Sequence, residues 1–100
     1  MSVPPRIGIT TGDPAGIGPE IARKAADDPR VRAACEPVLY GPSREEELAA
    51  FAPGQASAES GRAAYEAIVR AVEDARAGRI AALATGPISK EAFALAGLPW

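Results

Sequence analysis

The sequence contains no histidine and a single cysteine, Cys35. Without histidine the chain can neither run imidazole acid–base catalysis nor build a histidine-ligated metal centre from its own residues. One cysteine cannot close an internal disulfide, and a buried packing role at the edge of a strand is expected for it. Aromatic residues make up only 5% of the chain, so its core has to be built from small side chains, which suits close packing of helices on a sheet. No apolar run approaches the roughly 18–20 residues that a membrane-spanning helix needs, and Met1–Arg6 is too short and proline-rich for a secretory signal. Blocks of like charge are missing too. Eleven basic and 13 acidic residues are interspersed to a net charge of −2, which leaves no electrostatic footprint for nucleic acid. These absences predict a cytoplasmic protein that engages neither nucleic acid nor a membrane.

What is present is globular. Hydrophobic residues account for 47% of the 100 residues, but many are alanine, which favours helix and buries little area. That length suits one small domain or a piece of a larger one. Neither a repeat nor a linker divides it, so 1–100 reads as one unit with no internal boundary.

Arg6–Thr10 is predicted as a first strand, followed by a glycine-rich loop over Thr11–Gly18 and a helix over Pro19–Ala26. Gly18 is placed as N-cap, Pro19 at the first helical position and Glu20 in the first turn. Asp27-Asp28-Pro29 ends the helix or restarts a short turn. Pro37–Tyr40 reads as a second strand. Ser43 with Glu46 suggests a capping box for a short helix to about Ala52. Ser57 caps a longer helix in which Tyr65, Ile68, Val69, Val72 and Ala75 recur at helical spacing, and Gly78 stops it. The Tyr65-Ile68-Val72 face is expected on the sheet. Ile80–Thr85 reads as a third strand, apolar on both faces as a buried parallel strand should be. Ser89 caps a last helix ending at Gly97. This alternation predicts an α/β fold with a mostly parallel sheet and flanking helices.

Two loops are candidate functional elements. The first, Thr10-Thr11-Gly12-Asp13-Pro14-Ala15-Gly16-Ile17-Gly18-Pro19-Glu20, joins strand to helix. Backbone N–H groups of such a loop can approach an anion, aided by the helix N-terminus. Its spacing matches neither the dinucleotide fingerprint nor the Walker A loop. On spacing alone a tight turn needing glycine conformations is the better reading, and Asp13 before proline is a common Asx-turn residue. The second loop, Thr85-Gly86-Pro87-Ile88-Ser89-Lys90, follows the third strand. Ligands of open α/β sheets bind at that end of the strands, so the two loops are expected to face one cleft. Lys90 falls in the first turn of a helix, where a cation is unfavourable by about 0.3–1 kcal/mol. Either it holds a phosphate or carboxylate, or it is a solvated lysine. The candidate cleft residues are Thr11, Gly12, Asp13, Gly16, Gly18 and Lys90. The charges over Arg44–Glu47 and at Glu66, Arg70, Glu73 and Arg76 read as solvated helix faces.

Together these loops carry a resemblance. The stretch Ile9–Glu20 resembles the opening motif of the 4-hydroxythreonine-4-phosphate dehydrogenases of vitamin B6 synthesis. Thr85–Lys90 followed by Ala96-Gly97-Leu98-Pro99-Trp100 resembles that family's next motif, in the same order. The resemblance spans the chain and about the first third of a family member. It implies a two-domain fold like the isocitrate and isopropylmalate dehydrogenases, working as a homodimer on a phosphorylated small molecule. It implies NAD or NADP as oxidant, loss of CO₂ from the β-keto acid formed, and a divalent metal (Zn, Mg or Co) acting as Lewis acid. The family's metal-binding histidines and its substrate-contacting His-Thr pair lie downstream of Trp100, so no residue here inherits those roles and the chain alone is expected to be inactive. The stretch between Gly41 and Ser57 looks shorter than in family members. Alternatives are a sister dehydrogenase for a sugar-acid phosphate, such as threonate or erythronate 4-phosphate, or a phosphate-binding module without catalysis.

Overall fold

The computed structural model describes residues 3–99. Met1 and Ser2 of the proline-rich opening, and Trp100 of the second motif, lie outside the described residues. Strand β1 (Arg6–Thr10) is followed by helices α1 (Gly18–Asp27) and α2 (Pro29–Ala34), strand β2 (Glu36–Tyr40), helices α3 (Glu45–Leu48) and α4 (Ala58–Arg76), strand β3 (Ala82–Thr85) and helix α5 (Lys90–Leu95). The sheet order is β2-β1-β3 and both pairings are parallel, with Ile9 opposite Leu39 on one side and Ala84 on the other. The expected α/β architecture, with a parallel sheet and flanking helices, is the observed one.

Local signals set most helix ends. Ser57 Oγ accepts from the Ser60 N–H at 3.0 Å, and Ser60 Oγ accepts from the Ser57 N–H at 3.2 Å, closing the start of α4. Gly78, at φ +80°, follows its C-cap residue Ala77. Ser89 Oγ caps α5 through the Ala92 N–H at 3.1 Å. The Asp28 carboxylate, accepting from the Arg30 N–H at 2.8 Å, makes Pro29–Ala34 a helix rather than a turn. Two caps differ from expectation. The first turn of α1 already includes Gly18, and Ile17 is the N-cap residue. Gly18 is drawn into the helix because its bare Cα packs against the Thr11 carbonyl, where a Cβ would collide. Helix α3 starts after Arg44, not Ser43, and spans four residues. There Glu47, not Glu46, reaches back to accept from the Ser43 and Arg44 N–H groups at 3.3 and 3.1 Å. With no buried residue, α3 has nothing to sustain it towards Ala52.

The core lies between the sheet and α4. Tyr40, Ala67, Ala71 and Ile80 form it, with Val38 and Leu83 packed alongside. Two expectations fail here. The α4 residues in this core are Ala67 and Ala71, on a buried stripe with Ser60 and Ala64, whereas Tyr65 and Ile68 are half-buried and Val72 is exposed. The cause lies across the sheet surface. Gly8 in β1 is covered by Ile80 and Tyr40, whose side-chain atoms come within 2.7 and 3.0 Å of where its Cβ would stand. With that space filled, only alanine lets the helix approach. Of the bulkier stripe, Tyr65 meets Phe93 of α5 edge-on with ring centroids 6.2 Å apart. Strand β3 is also not buried on both faces. Ala82, Ala84 and Thr85 are exposed, because β3 is an edge strand and α4 covers one of its faces. Cys35, expected to be buried, is half-buried beside β2.

A polar clamp closes one side of this core. The Tyr40 hydroxyl donates to Asp74 at 2.6 Å, and Arg79 donates to the other oxygen of Asp74 at 2.9 Å. The Tyr40 hydroxyl and the Arg79 guanidinium hold the Asp74 carboxyl below its ordinary range. The hydrogen bond to Asp74, then burial, push the Tyr40 phenol above its own. Among the described residues no helix is long and apolar enough to cross a membrane.

Candidate functional site

All three strands end on one side of the sheet, and threonines join their ends. Thr10, fully buried, accepts the Gly86 N–H at its carbonyl at 2.9 Å and at Oγ1 at 3.1 Å. The Thr11 N–H donates to the Tyr40 carbonyl at 2.9 Å. The chain then turns at Gly12, whose φ of +74° suits glycine and whose Cβ would collide with the Pro87 carbonyl. That carbonyl accepts the Asp13 N–H at 2.8 Å. The two loops singled out by sequence therefore touch, as parallel strands ending together require.

Within the first loop, Asp13 builds a bend. Its carboxylate accepts the Ala15 N–H at 3.0 Å and its carbonyl accepts the Gly16 N–H at 3.0 Å. This is the Asx-turn reading of Asp13. The N–H groups of Asp13, Ala15 and Gly16 are thus engaged inside the protein, and the loop has no free amide cradle at these positions for the pyrophosphate of a dinucleotide. The glycines divide in role. Gly12 and Gly18 are required by close packing on Pro87 and Thr11. Gly16 is not: it is exposed, its φ is not positive, and an added Cβ would touch only Asp13 at 3.6 Å or more. Thr11 is fully buried and points inward, beside Gly41 and Ala67. Lys90 is the first residue of α5, exposed, and engaged in an interaction.

Sequence reading missed a concavity elsewhere. A cavity of about 490 Å³ lies between α1 and the connection after β2, lined by Glu20, Arg23, Lys24, Asp27, Asp28, Ser43 and Leu48. Arg23 spans it to the Ser43 carbonyl at 3.3 Å. The alternating charges along α1 were its one sequence signal, and that pattern is common to any solvated helix face. Among the described residues no three His, Cys, Asp or Glu side chains cluster to hold a metal ion.

Residues 19–100 match the family model of the pyridoxal phosphate biosynthetic protein PdxA. The chain is 36% identical to a 4-hydroxythreonine-4-phosphate dehydrogenase of Trichlorobacter lovleyi, with 97% of this chain and 40% of that protein covered. It is 35% identical to a protein of Symbiobacterium thermophilum named "Putative D-threonate 4-phosphate dehydrogenase", with 93% and 39% covered. A crystal structure of a 4-hydroxythreonine-4-phosphate dehydrogenase from Burkholderia phymatum superposes with a TM-score of 0.86 at 30% identity, over 97% of this chain and 40% of that one. The chain thus spans about two fifths of the length of the relatives it matches. The first two matches run over 136 and 130 positions and take in 97 and 93 residues of this chain, so 39 and 37 positions have no counterpart here. Between Gly41 and Ser57, the stretch that the sequence leads one to expect short, the structure has the four-residue α3 and a turn.

Proposed function

The chain belongs to the family of the pyridoxal phosphate biosynthetic protein PdxA, and from that premise we propose that it forms the N-terminal α/β part of an NAD(P)-dependent dehydrogenase. The substrate of that enzyme is 4-phosphooxy-threonine, whose hydroxyl is oxidised before CO₂ is lost. The observation that carries this reading is the meeting of the two family-like loops at the C-terminal ends of β1 and β3, through the Asp13–Pro87 hydrogen bond. A second reading, a sister enzyme acting on D-threonate 4-phosphate, is favoured by the 35% identity to the relative named for that substrate. The homodimer, the second domain and a cytoplasmic location belong to the proposal as well.

This segment's share of the work is a binding surface. Lys90 offers a cation to a phosphate or carboxylate, and the ligand's negative charge reverses the penalty of placing a lysine at a helix start. Gly16 leaves the outer side of the first loop open to close approach. The divalent metal that the reading implies does not fit here: the chain has no histidine and the described residues lack a cluster of acidic or thiol donors. The engaged amides of the first loop likewise do not fit the diphosphate of NAD(P) at Asp13, Ala15 or Gly16. Both groups are assigned to residues outside this segment.

The test is an assay of the enzyme containing this segment on 4-phosphooxy-threonine and D-threonate 4-phosphate, each with NAD and NADP. Turnover of neither would overturn the reading, and preference for the second would select the sister enzyme. In the same enzyme, Lys90→Ala is expected to weaken binding of the phosphorylated substrate by about 1.5–3 kcal/mol, the worth of a charged hydrogen bond. Gly16→Ala is expected to weaken it too while leaving stability within about 0.5 kcal/mol. Unchanged affinity in both variants would remove these residues from the site.

A further inference from the structure

The connection from β2 to α4 has little packing of its own. Helix α3 buries no residue, and residues 52–55 are exposed. After α3 two of its hydrogen bonds are local, Phe51 N–H to the Leu48 carbonyl and Gln55 N–H to the Ala52 carbonyl. Near its end a bond reaches the glycine loop: the Gly54 N–H donates to the carbonyl of Ala15, at 2.7 Å. Ala15 is buried and lies inside the bend that Asp13 builds. Gly54 sits at φ +74° with nothing within 4 Å of where a Cβ would stand, so no side-chain packing holds it in place. At the other end, Arg23 of α1 donates to the Ser43 carbonyl, and Glu47 gathers the Ser43 and Arg44 N–H groups. The connection is therefore fastened on α1 where it begins and on the glycine loop near its end.

We propose that segment 43–55 is a strap that holds the glycine loop in its bend, with the Gly54 amide as its clasp on Ala15. The shortness of the strap is what keeps the clasp closed. A short tether holds its end near its partner, and each added residue lets that end wander and lowers its effective concentration there. The strap's importance for ligand binding rests on the reading of the glycine loop given above, but its action on the loop does not.

Amide hydrogen exchange on the 100-residue chain tests this without substrate. In the unaltered chain the Gly54 amide exchanges more slowly than its exposed setting alone would give. Gly54→Pro removes the donor. Insertion of Gly-Ser-Gly-Ser between Ala50 and Phe51 keeps the donor but slackens the strap. Both are expected to speed exchange at the Gly16 amide roughly fivefold or more, with Ala67 and Ala71 of α4 staying within about twofold. Gly54→Asn, which keeps the N–H and tolerates positive φ, holds Gly16 within about twofold of the unaltered chain. An unprotected Gly54 amide, or Gly16 unmoved by the insertion, overturns the proposal. So does an equal rise at Ala67 and Ala71, which makes the segment a general stabiliser. If Gly54→Pro does not fold, the insertion decides alone. Failure here leaves the dehydrogenase reading standing, since that reading falls only on the substrate assay.

Discussion

Thr11 brings a hydroxyl into the fold and gives it no hydrogen-bond partner among the described residues. The residue is fully buried at the end of the central strand, beside Gly41 and Ala67. Burying an unsatisfied polar group costs about 1–3 kcal/mol, and replacing it by an apolar group of the same shape removes that cost. Thr11→Val is therefore expected to keep stability or raise it by up to about 2 kcal/mol, read as the midpoint of urea unfolding. A lower midpoint would mean that the hydroxyl has a partner worth keeping. The sequence could not separate this residue from its neighbour. Thr10 and Thr11 have the same side chain at the same strand end, yet Thr10 Oγ1 accepts the Gly86 amide and Thr11 Oγ1 accepts nothing. The difference is one of register, which the third strand sets from 75 residues away. Asp13 was more legible, because an aspartate before proline and glycine bonds its own loop whatever surrounds it.

At the scale of elements, α4 shows what periodicity can and cannot decide. The helix carries two stripes of helical period, a small one through Ser60, Ala64, Ala67 and Ala71 and a bulky one through Tyr65, Ile68 and Val72. Its cap at Ser57 and its stop at Gly78 are local signals and legible in the sequence. Which stripe meets the sheet depends on how much room the sheet leaves, and that is fixed by Ile80 and Tyr40 closing over Gly8. Ranking the stripes by hydrophobic bulk therefore chose the wrong one. The burial of β3 is not legible for a related reason: an apolar strand sequence does not say whether a neighbour exists to cover it. Convergence of the two loops needed only the order of elements and parallel pairing, so it was legible. The cavity by α1 depends on where the short connection carries α3, and it was not. Close packing makes a clear prediction. Ala67, with no exposed surface, cannot accept a larger side chain, and Ala67→Leu is expected to destabilise by about 1–3 kcal/mol or more. Val72, 41% exposed, can lose two methyl groups freely, and Val72→Ala is expected to stay within about 0.5 kcal/mol. Equal losses in the two variants, measured by thermal unfolding, would restore the bulky stripe to the core.

For the molecule as a whole, the last prediction is that this 100-residue chain oxidises no phosphorylated hydroxy acid by itself. Three independent facts lead there. The chain has no histidine, so it lacks the side chain best matched to proton transfer near neutral pH. The described residues gather no set of three metal-binding donors, so the Lewis acid that the family resemblance implies has no site among them. The structure supplies a parallel sheet of three strands whose β3 side carries exposed Ala82, Ala84 and Thr85, while the match to a solved dehydrogenase covers only 40% of that chain. The two-domain cleft that the family resemblance implies needs more chain than a segment matching two fifths of such a protein. What the segment does hold is a preformed pair of loops, joined by the Asp13–Pro87 bond and bounded by Lys90. The purified chain should therefore give no reduction of NAD or NADP with 4-phosphooxy-threonine or D-threonate 4-phosphate, with Zn, Mg or Co added in turn. Metal-dependent turnover above a control without protein would show that the chemistry lies in these 100 residues after all, and would move the catalytic role onto Asp13, Lys90 or the acidic groups beside the α1 cavity.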